Sequence, residues 1–178
     1  MAMDKARHAR AQAGVSRPLA LVSTGFAGAT FGFFFAWQSS TLHGLDRIDP
    51  ATAIQAMQAM NASVRNPLFG TVWIGTPLLL ILAAAVAARE GVRRAPWLLG
   101  LALMLHMTGV FGVTATINVP MNRALANVDP HGLGNATVWQ DYSERWQSAN
   151  LIRMIAAGGS LLLTAAAIAP ALQSRKWS

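Results

Sequence analysis

Residues 96–117 read PWLLGLALMLHMTGVFGVTATI and contain no lysine, arginine, aspartate or glutamate. A helix of about 20 apolar residues is long enough to cross the roughly 30 Å hydrocarbon core of a bilayer. This stretch is therefore predicted to be a transmembrane helix. Three more apolar stretches of similar length predict further spans at about residues 18–37, 68–88 and 150–172. A cleavable signal peptide is the alternative interpretation of the first one.

The composition favours a membrane protein over a soluble, basic one. Of the 178 residues, 53% are hydrophobic and only 12% are charged, whereas soluble domains have about 25% charged residues. The formal net charge of +7 would by itself suggest a nucleic-acid partner. The chain has no cysteine, which excludes a disulfide framework, a cysteine-ligated metal site and a thiol nucleophile.

The positions of the charges indicate how the chain is oriented. One side of the predicted spans carries nine basic and two acidic residues, namely Lys5, Arg7, Arg10, Arg17, Arg89, Arg93, Arg94, Arg175 and Lys176 against Asp4 and Glu90. The loops on the other side carry five residues of each sign. Because cytoplasmic segments are enriched in lysine and arginine, both termini are predicted to be cytoplasmic. The net charge is then a topology signal of a multi-pass protein of the inner (cytoplasmic) membrane, and no nucleic-acid partner is expected.

These patterns predict an all-α fold, a four-helix transmembrane bundle formed by residues 18–172. Short basic cytoplasmic tails, residues 1–17 and 173–178, are expected on either side of it. The two larger loops, residues 38–67 and 118–149, are then on the outer face, and the second is expected to be partly helical.

The first outer loop is predicted to contain an extra amphipathic helix. Asp49 followed by Pro50 is a typical N-cap and first turn, and the segment from Ala51 to Arg65 is rich in helix-compatible residues. Its apolar residues recur at helical spacing. Asn61 falls on the same face, so its amide needs a polar partner in the fold.

The densest group of polar side chains lies where the third span ends. Pro120 cannot donate a backbone hydrogen bond, so carbonyls of the preceding turn are freed there. Asn118 and Asn122 bracket this proline. Their amides either satisfy the freed carbonyls or line a polar pocket at the outer face of the membrane.

A second polar group opens the fourth span. Trp146, Asn150 and Arg153 are one helical turn apart in succession and therefore share a face. Arg153 already lies among apolar neighbours, and a charge at that depth usually faces a cavity or a partner. It is expected either to snorkel to the headgroups or to point inwards, towards a carboxylate or an anionic or phenolate ligand.

Two histidines are candidates for a chemical role. His43 follows the first span at the outer interface, where it could act as a base or a ligand or be an ordinary interfacial residue. His106 lies near the middle of the third span and is expected to be a buried neutral histidine, hydrogen-bonded to a threonine or a carbonyl. No histidine or carboxylate spacing typical of a metal site occurs.

These polar groups, taken in order, resemble the signature of a known family. The string over residues 118–126 reads NVPMNRALA and is preceded by Thr114 and Thr116, and the later residues are Trp146, Asn150 and Arg153. The set resembles the anthrone oxygenase-like membrane proteins. The first half of the chain agrees, with MQAMN at residues 57–61 followed by Asn66 and Pro67. The resemblance covers about residues 20–172 and implies the same four-span layout.

Family members near polyketide pathways are associated with the oxidation of an anthrone to an anthraquinone by molecular oxygen. The resemblance therefore implies a membrane oxidoreductase that oxidises a flat phenolic or quinol-like substrate with oxygen, at a pocket on the outer face. Arg153 would hold the substrate anion, Trp146 would stack on it, and His43 or Glu144 is the candidate base. Four asparagines would orient oxygen atoms: Asn61, Asn118, Asn122 and Asn150.

Two other classes of function remain open. The chain could be a non-enzymatic module that binds or transports a small molecule or lipid, or a structural subunit of a membrane complex. The expected partners are the lipid bilayer and a hydrophobic aromatic or quinone ligand, and a homo-oligomer is left open. The sequence requires no cofactor, and it leaves a copper or iron site open.

Overall fold

The computed structural model describes residues 14–168, and this part of the chain is all-helical. Its five helices are α1 (Ser16–Leu45), α2 (Pro50–Ser63), α3 (Pro67–Arg89), α4 (Ala95–Leu125) and α5 (Asn135–Ile168). All except α2 are long and apolar enough to cross a membrane. The predicted fold class, an all-α bundle with four candidate spans, is confirmed, and the chain is a multi-pass membrane protein.

The four long helices pack side by side. Helix α1 lies against α3 and α5, and α4 lies against α5 and α3. Close approach depends on small residues, as expected for helices that associate in lipid. A Cβ atom added to Gly109 would overlap the side chain of Ala156, so α4 and α5 come into near backbone contact there.

Helix α2 covers one end of the bundle, which we call the capped end. Asp49 caps its first turn by accepting a hydrogen bond from the Thr52 backbone N–H at 3.1 Å. The buried side chains of Ile54 and Met57 pack on an apolar cluster formed with α1, α4 and α5. The Gln58 amide donates to the carbonyls of Leu125 and Val128, at 2.9 and 3.0 Å, and so caps the end of α4.

The opposite end carries the short turn between α3 and α4. Gly91 ends α3 with a φ of +72°, a conformation that favours glycine. Next to it, the Glu90 carboxylate accepts hydrogen bonds from the backbone N–H groups of Val15 and Ser16. This contact satisfies donors at the start of α1 that have no partner within the helix.

Several helices are longer than the predicted spans. Helix α1 continues to Leu45, eight residues past the predicted end of its span at residue 37. Helix α4 runs through Pro120 to Leu125, because Pro120 follows a wide π turn at Thr114–Asn118 and occupies a first-turn position, where no N–H is needed. The predicted outer loop 118–149 is therefore mostly helical, and only residues 126–134 lie between helices.

The predictions for the two chain ends lie largely beyond the residues that the structure describes. This applies to residues 1–13 of the predicted N-terminal tail, to the last part of the fourth span, residues 169–172, and to the tail 173–178.

Candidate functional site

A cavity of about 440 Å³ lies at the capped end, where all five helices contribute to its wall. We call it the polar cavity. Its polar and charged lining residues are Asn61, Arg65, Thr114, Asn118, Asn122, Arg123 and Arg153. Its apolar lining is largely aromatic: Phe33, Phe34, Trp37, Phe69, Trp73 and Trp146. This size and this mixture are typical of small-molecule sites.

Arg153 lies in the wall of the polar cavity and is only 5% exposed, so it points inwards and does not snorkel to the membrane surface. Its guanidinium carbon is 4.6 Å from the ring centre of Phe34 and 4.7 Å from that of Trp146. Such cation–π contacts contribute about 2 kcal/mol each when they are desolvated. The two rings hold the guanidinium plane in place.

The hydrogen bonds of Arg153 leave part of its donor capacity unused. One terminal nitrogen donates to Asn150 Oδ1 at 3.0 Å, and the other donates to Thr114 Oγ1 at 3.4 Å. Its Nε–H is buried and has no partner among residues 14–168. A guanidinium has more donors than these contacts use, so the cavity retains N–H groups that can bind an oxygen atom.

The electrostatics of the polar cavity favour an anion. Its lining includes the exposed Arg65 and Arg123 besides Arg153, and its lining residues include no aspartate or glutamate. Within the described chain, no carboxylate pairs with Arg153. A buried cation without a counter-ion costs several kcal/mol, and a bound anion would offset this cost.

Asn118 adds a polar group without a protein partner. Its side chain is 1% exposed and lines the polar cavity, and neither its Nδ2 nor its Oδ1 atom is hydrogen-bonded within the described residues. Asn118 therefore does not satisfy the carbonyls freed at Pro120, one of the two roles predicted for it. An orphaned buried amide costs about 1–3 kcal/mol, so Asn118 has hydrogen-bonding capacity that the described residues leave unused.

Asn122 and Asn61 belong to a hydrogen-bonded network at the cavity wall. Asn122 Oδ1 accepts from the Tyr142 hydroxyl at 2.8 Å and from Trp146 Nε1 at 3.1 Å. The Tyr142 hydroxyl in turn accepts from Asn61 Nδ2 at 3.3 Å. The network joins α2, α4 and α5, and it fixes the orientation of the Trp146 ring that covers Arg153.

Asn150 has a positioning role. It is fully buried but does not line the polar cavity. Its Nδ2 donates to the Phe34 carbonyl at 3.0 Å and to Gln38 Oε1 at 2.9 Å, which leaves its Oδ1 to accept from Arg153. Asn150 thus ties the guanidinium to α1.

The structure does not bring the two candidate bases to the cavity. His43 is exposed on the last turn of α1, and Glu144 is exposed on α5, where it accepts a hydrogen bond from Gln140. Glu144 precedes Trp146 by two residues, or roughly 200° around a helix, so the two side chains face opposite sides. Neither residue lines the polar cavity.

His106 is buried as predicted, but the described residues do not provide the hydrogen bond expected for it. Neither ring nitrogen has a partner within residues 14–168, and the imidazole lies beside the ring of Phe111, with the centroids 5.7 Å apart. The neighbouring Thr108 hydroxyl instead donates to the carbonyl of Met104 in its own helix. His106 is also not part of the cavity wall.

Two important residues were not singled out from the sequence. Tyr142 bonds the two asparagines of the network, and Phe34 provides one of the rings against Arg153. Tyr142 is the chain's single tyrosine, one turn before Trp146, and this position was the available signal. Nothing in the sequence distinguishes Phe34 from its neighbours Phe33 and Phe35.

No metal-binding cluster is evident in the part of the chain that the structure describes. Residues 14–168 contain no group of three or more histidines or carboxylates placed to hold a metal ion. Elemental analysis of the purified protein measures directly whether copper or iron, left open by the sequence, is bound.

Fold and site together define a class: a multi-pass membrane protein with a basic, aromatic-walled cavity at one end of its bundle. Comparison with family models then identifies the family. The model described as Anthrone oxygenase matches residues 65–163, more than half of the chain, and the chain belongs to this family. The match includes the cavity residues of α3, α4 and α5, whereas those of α1 and α2 lie outside it. No curated protein and no solved structure matches the chain.

Proposed function

We propose that this protein is an oxidoreductase that oxidises a flat phenolic or quinol-like substrate with molecular oxygen in the polar cavity. One observation carries the proposal: Arg153 is buried between two aromatic rings in a cavity without acidic residues. A deprotonated hydroxyaromatic ring matches this arrangement, because its oxygen supplies the missing negative charge and its faces suit aromatic walls. Membership of the family adds support.

The reaction proposed for an anthrone-type substrate balances without a second reductant. The CH₂ group between two aromatic rings becomes a carbonyl, one oxygen atom of O₂ is transferred to that carbon, and the other leaves as water with the two hydrogens. The carbon loses four electrons, and oxygen gains them. A quinol would instead lose two electrons and two protons, which would convert O₂ into hydrogen peroxide.

The residues of the cavity are assigned to binding and to charge stabilisation. Arg153 holds the phenolate oxygen and so favours the electron-rich anion, and Asn118 binds a second oxygen of the substrate or product. Trp146 and Trp37, whose ring centroids are 5.1 Å apart, border the space for the ring. Because His43 and Glu144 lie elsewhere, the substrate proton is released to water, and neither residue is assigned a role in this proposal.

Oxygen uptake by the purified protein tests this proposal. With a hydroxylated anthrone, we expect one O₂ to be consumed per substrate, with catalase having no effect because oxygen is reduced to water. If catalase halves the net oxygen uptake, the product of oxygen reduction is hydrogen peroxide, which would indicate a quinol-oxidase reaction. Spontaneous oxidation is subtracted with the Arg153→Met variant, and equal rates for variant and wild type would contradict the proposal.

A non-enzymatic binding module is the second candidate function, and one observation favours it. None of the lining residues of the polar cavity is a histidine, aspartate or glutamate, so the wall offers no side chain typical of proton transfer. On this alternative the cavity binds the same anionic aromatic ligand without turnover. Tight binding of a hydroxyanthraquinone, without oxygen uptake on any hydroxyanthrone or quinol tested, would decide for it.

We further propose that the capped end faces the outside of the cytoplasmic membrane. Arg89, Arg93 and Arg94 lie at the opposite end, as expected for a cytoplasmic turn. Since the chain has no cysteine, single cysteines can report the topology. Leu133→Cys should react with a membrane-impermeant maleimide in intact cells, and Arg93→Cys only after permeabilisation. The reverse labelling pattern would contradict this orientation.

A further inference from the structure

A second cavity of about 360 Å³ adjoins the polar cavity, and we call it the apolar cavity. Residues of α1, α2 and α3 form its wall, together with Val64 and Asn66 from the link before α3. No charged residue lines it. The Thr30 hydroxyl in its wall is already bonded to Thr76 Oγ1 at 3.2 Å and to the Phe26 carbonyl at 3.1 Å. This cavity therefore suits a hydrocarbon group.

The two cavities adjoin each other and have a wall in common. Seven residues line both of them: Phe33, Phe34, Trp37, Met60, Val64, Phe69 and Trp73. The aromatic rings of this shared wall are in mutual contact, with centroid distances of 5.1 Å between Phe33 and Phe69 and 5.6 Å between Phe69 and Trp73. A ligand that fills both spaces has a polar, anionic end near Arg153 and an apolar end between α1 and α3.

The apolar cavity opens at the flank of the bundle. Ala29 on α1 and Leu68 on α3 belong to its lining and are exposed, Leu68 by 79%. Both residues are in helices that are apolar and long enough to cross the membrane. From Ala29 to Trp37 the wall extends about 12 Å along α1, at roughly 1.5 Å per residue. The opening therefore lies on an apolar flank of the bundle, between two helices long enough to cross the membrane.

We propose that the ligand of this protein carries a hydrocarbon chain, which lies in the apolar cavity, and that it enters from the bilayer between α1 and α3. The proposal rests on the proposed function in placing an anionic aromatic ring at Arg153. A ligand that partitions into the membrane reaches this opening without crossing water. The hydrocarbon chain of the ligand then determines which of several compounds with the same ring binds most tightly.

Binding measurements test the site for the hydrocarbon chain separately from the oxidation reaction. The probes are two hydroxyanthraquinones, one with a decyl chain and one without, titrated by fluorescence into the full-length protein in nanodiscs. We expect the wild type to bind the decyl compound at least about tenfold more tightly, in line with the discrimination that apolar pockets achieve. Equal affinity for the two probes would overturn the proposal.

Two substitutions that narrow the apolar cavity test whether the hydrocarbon chain of the ligand lies there. Ala29 and Val72 line this cavity and not the polar one. Ala29→Trp and Val72→Trp are each expected to remove the preference for the decyl compound and to leave binding of the short compound unchanged. The matched control is Ala85→Trp, at an exposed position of α3 outside both cavities, which should keep the full preference. A preference that survives both cavity variants would contradict the assignment.

The outcomes separate this proposal from the proposed function. A chain preference that the cavity variants abolish, without oxygen uptake on the corresponding hydroxyanthrones, would sustain the chain site and refute the oxidoreductase. Oxygen uptake on both hydroxyanthrones, without a chain preference in binding, would sustain the oxidoreductase and refute the chain site. If laurate, which has an anionic head and a chain but no ring, bound as tightly as the decyl compound, the cavities would be a fatty-acid site and the proposed ligand would be wrong.

Discussion

Replacing Arg153 with methionine is expected to weaken ligand binding strongly and to change the thermal stability of the protein only a little. The loss of one partner of a buried charged contact costs about 2–5 kcal/mol, which corresponds to a loss of affinity of roughly 30-fold or more. Fluorescence titration with a hydroxyanthraquinone measures this change. The turnover of a hydroxyanthrone, measured as kcat/KM, is expected to fall at least as far.

The effect on stability separates a functional arginine from a structural one. Arg153→Met gives up two cation–π contacts, and it leaves the buried Asn150 Oδ1 without the hydrogen bond that it accepts from Arg153. It also removes a buried charge for which the described chain provides no counter-ion, and this cost amounts to several kcal/mol. These losses and this gain are of similar size, so we expect the Tm of the ligand-free protein to change little. A large fall in Tm would mean that Arg153 holds the fold together.

The control for this substitution is Arg145→Met. Arg145 is on the same helix but is exposed and lies outside the cavity. The Arg145→Met variant should bind the ligand as the wild type does, since surface substitutions rarely have large effects. Arg153→Lys is a second comparison: lysine keeps the charge but lacks the flat group that fits between Phe34 and Trp146, so its affinity should fall between those of the wild type and the methionine variant.

Asn118→Leu is expected to stabilise the ligand-free protein and to weaken ligand binding. Both polar atoms of Asn118 are buried without a partner among the described residues. An apolar side chain of similar size removes a desolvation cost of about 1–3 kcal/mol. The Tm of the ligand-free variant should therefore rise. The same substitution removes a contact to the bound oxygen atom, and the Kd should increase by roughly 5- to 100-fold.

Asn122→Leu is the matched comparison, because it makes the same chemical change four residues away on the same helix. Asn122 accepts hydrogen bonds from Tyr142 and Trp146, so its loss leaves two buried donors without an acceptor. Its Tm should fall, whereas that of Asn118→Leu should rise. A fall of Tm in both variants would show that Asn118 is satisfied within the fold, and the argument for a ligand at this residue would be lost.

Much of the fold could be predicted because the bilayer restricts spanning segments to apolar helices about 20 residues long. The hydropathy signal ends where the lipid ends, whereas a helix continues as long as its backbone is hydrogen-bonded. This is why α1 passes residue 37 and α5 begins at Asn135, well before the predicted fourth span. Pro120 was expected to disturb α4 and does so only through the wide turn before it.

The relative placement of site residues could be predicted where these residues lie on the same helix. Trp146 and Arg153 share a face because of their spacing, and the isolated charge of Arg153 marked a cavity. Residues from different helices could not be matched in this way. His43 and Glu144 have the expected position along the chain, but their helices turn them away from the cavity. Helical spacing could have excluded Glu144, whereas the contact of Phe34 with Arg153 depends on how α1 packs on α5.

The five arginines and five acidic residues expected on the outer face are balanced in number but separated in space. Arg65, Arg123 and Arg153 line the polar cavity, and its lining contains no acidic residue. Asp46 lies elsewhere, where it accepts hydrogen bonds from Trp139, Ser143 and Gln147. The separation of charge, which the count alone does not reveal, makes the cavity suitable for an anion.

The most direct test of the proposed reaction is the fate of labelled oxygen. The purified protein is incubated with a hydroxyanthrone under ¹⁸O₂ in unlabelled water, and the product is analysed by mass spectrometry, with the Arg153→Met variant as control for spontaneous oxidation. We predict one ¹⁸O atom per anthraquinone formed and ¹⁸O-labelled water as the other product, at a rate that depends on Arg153. Product without the label, or a rate that is the same in the variant, would contradict an oxygenase reaction at Arg153.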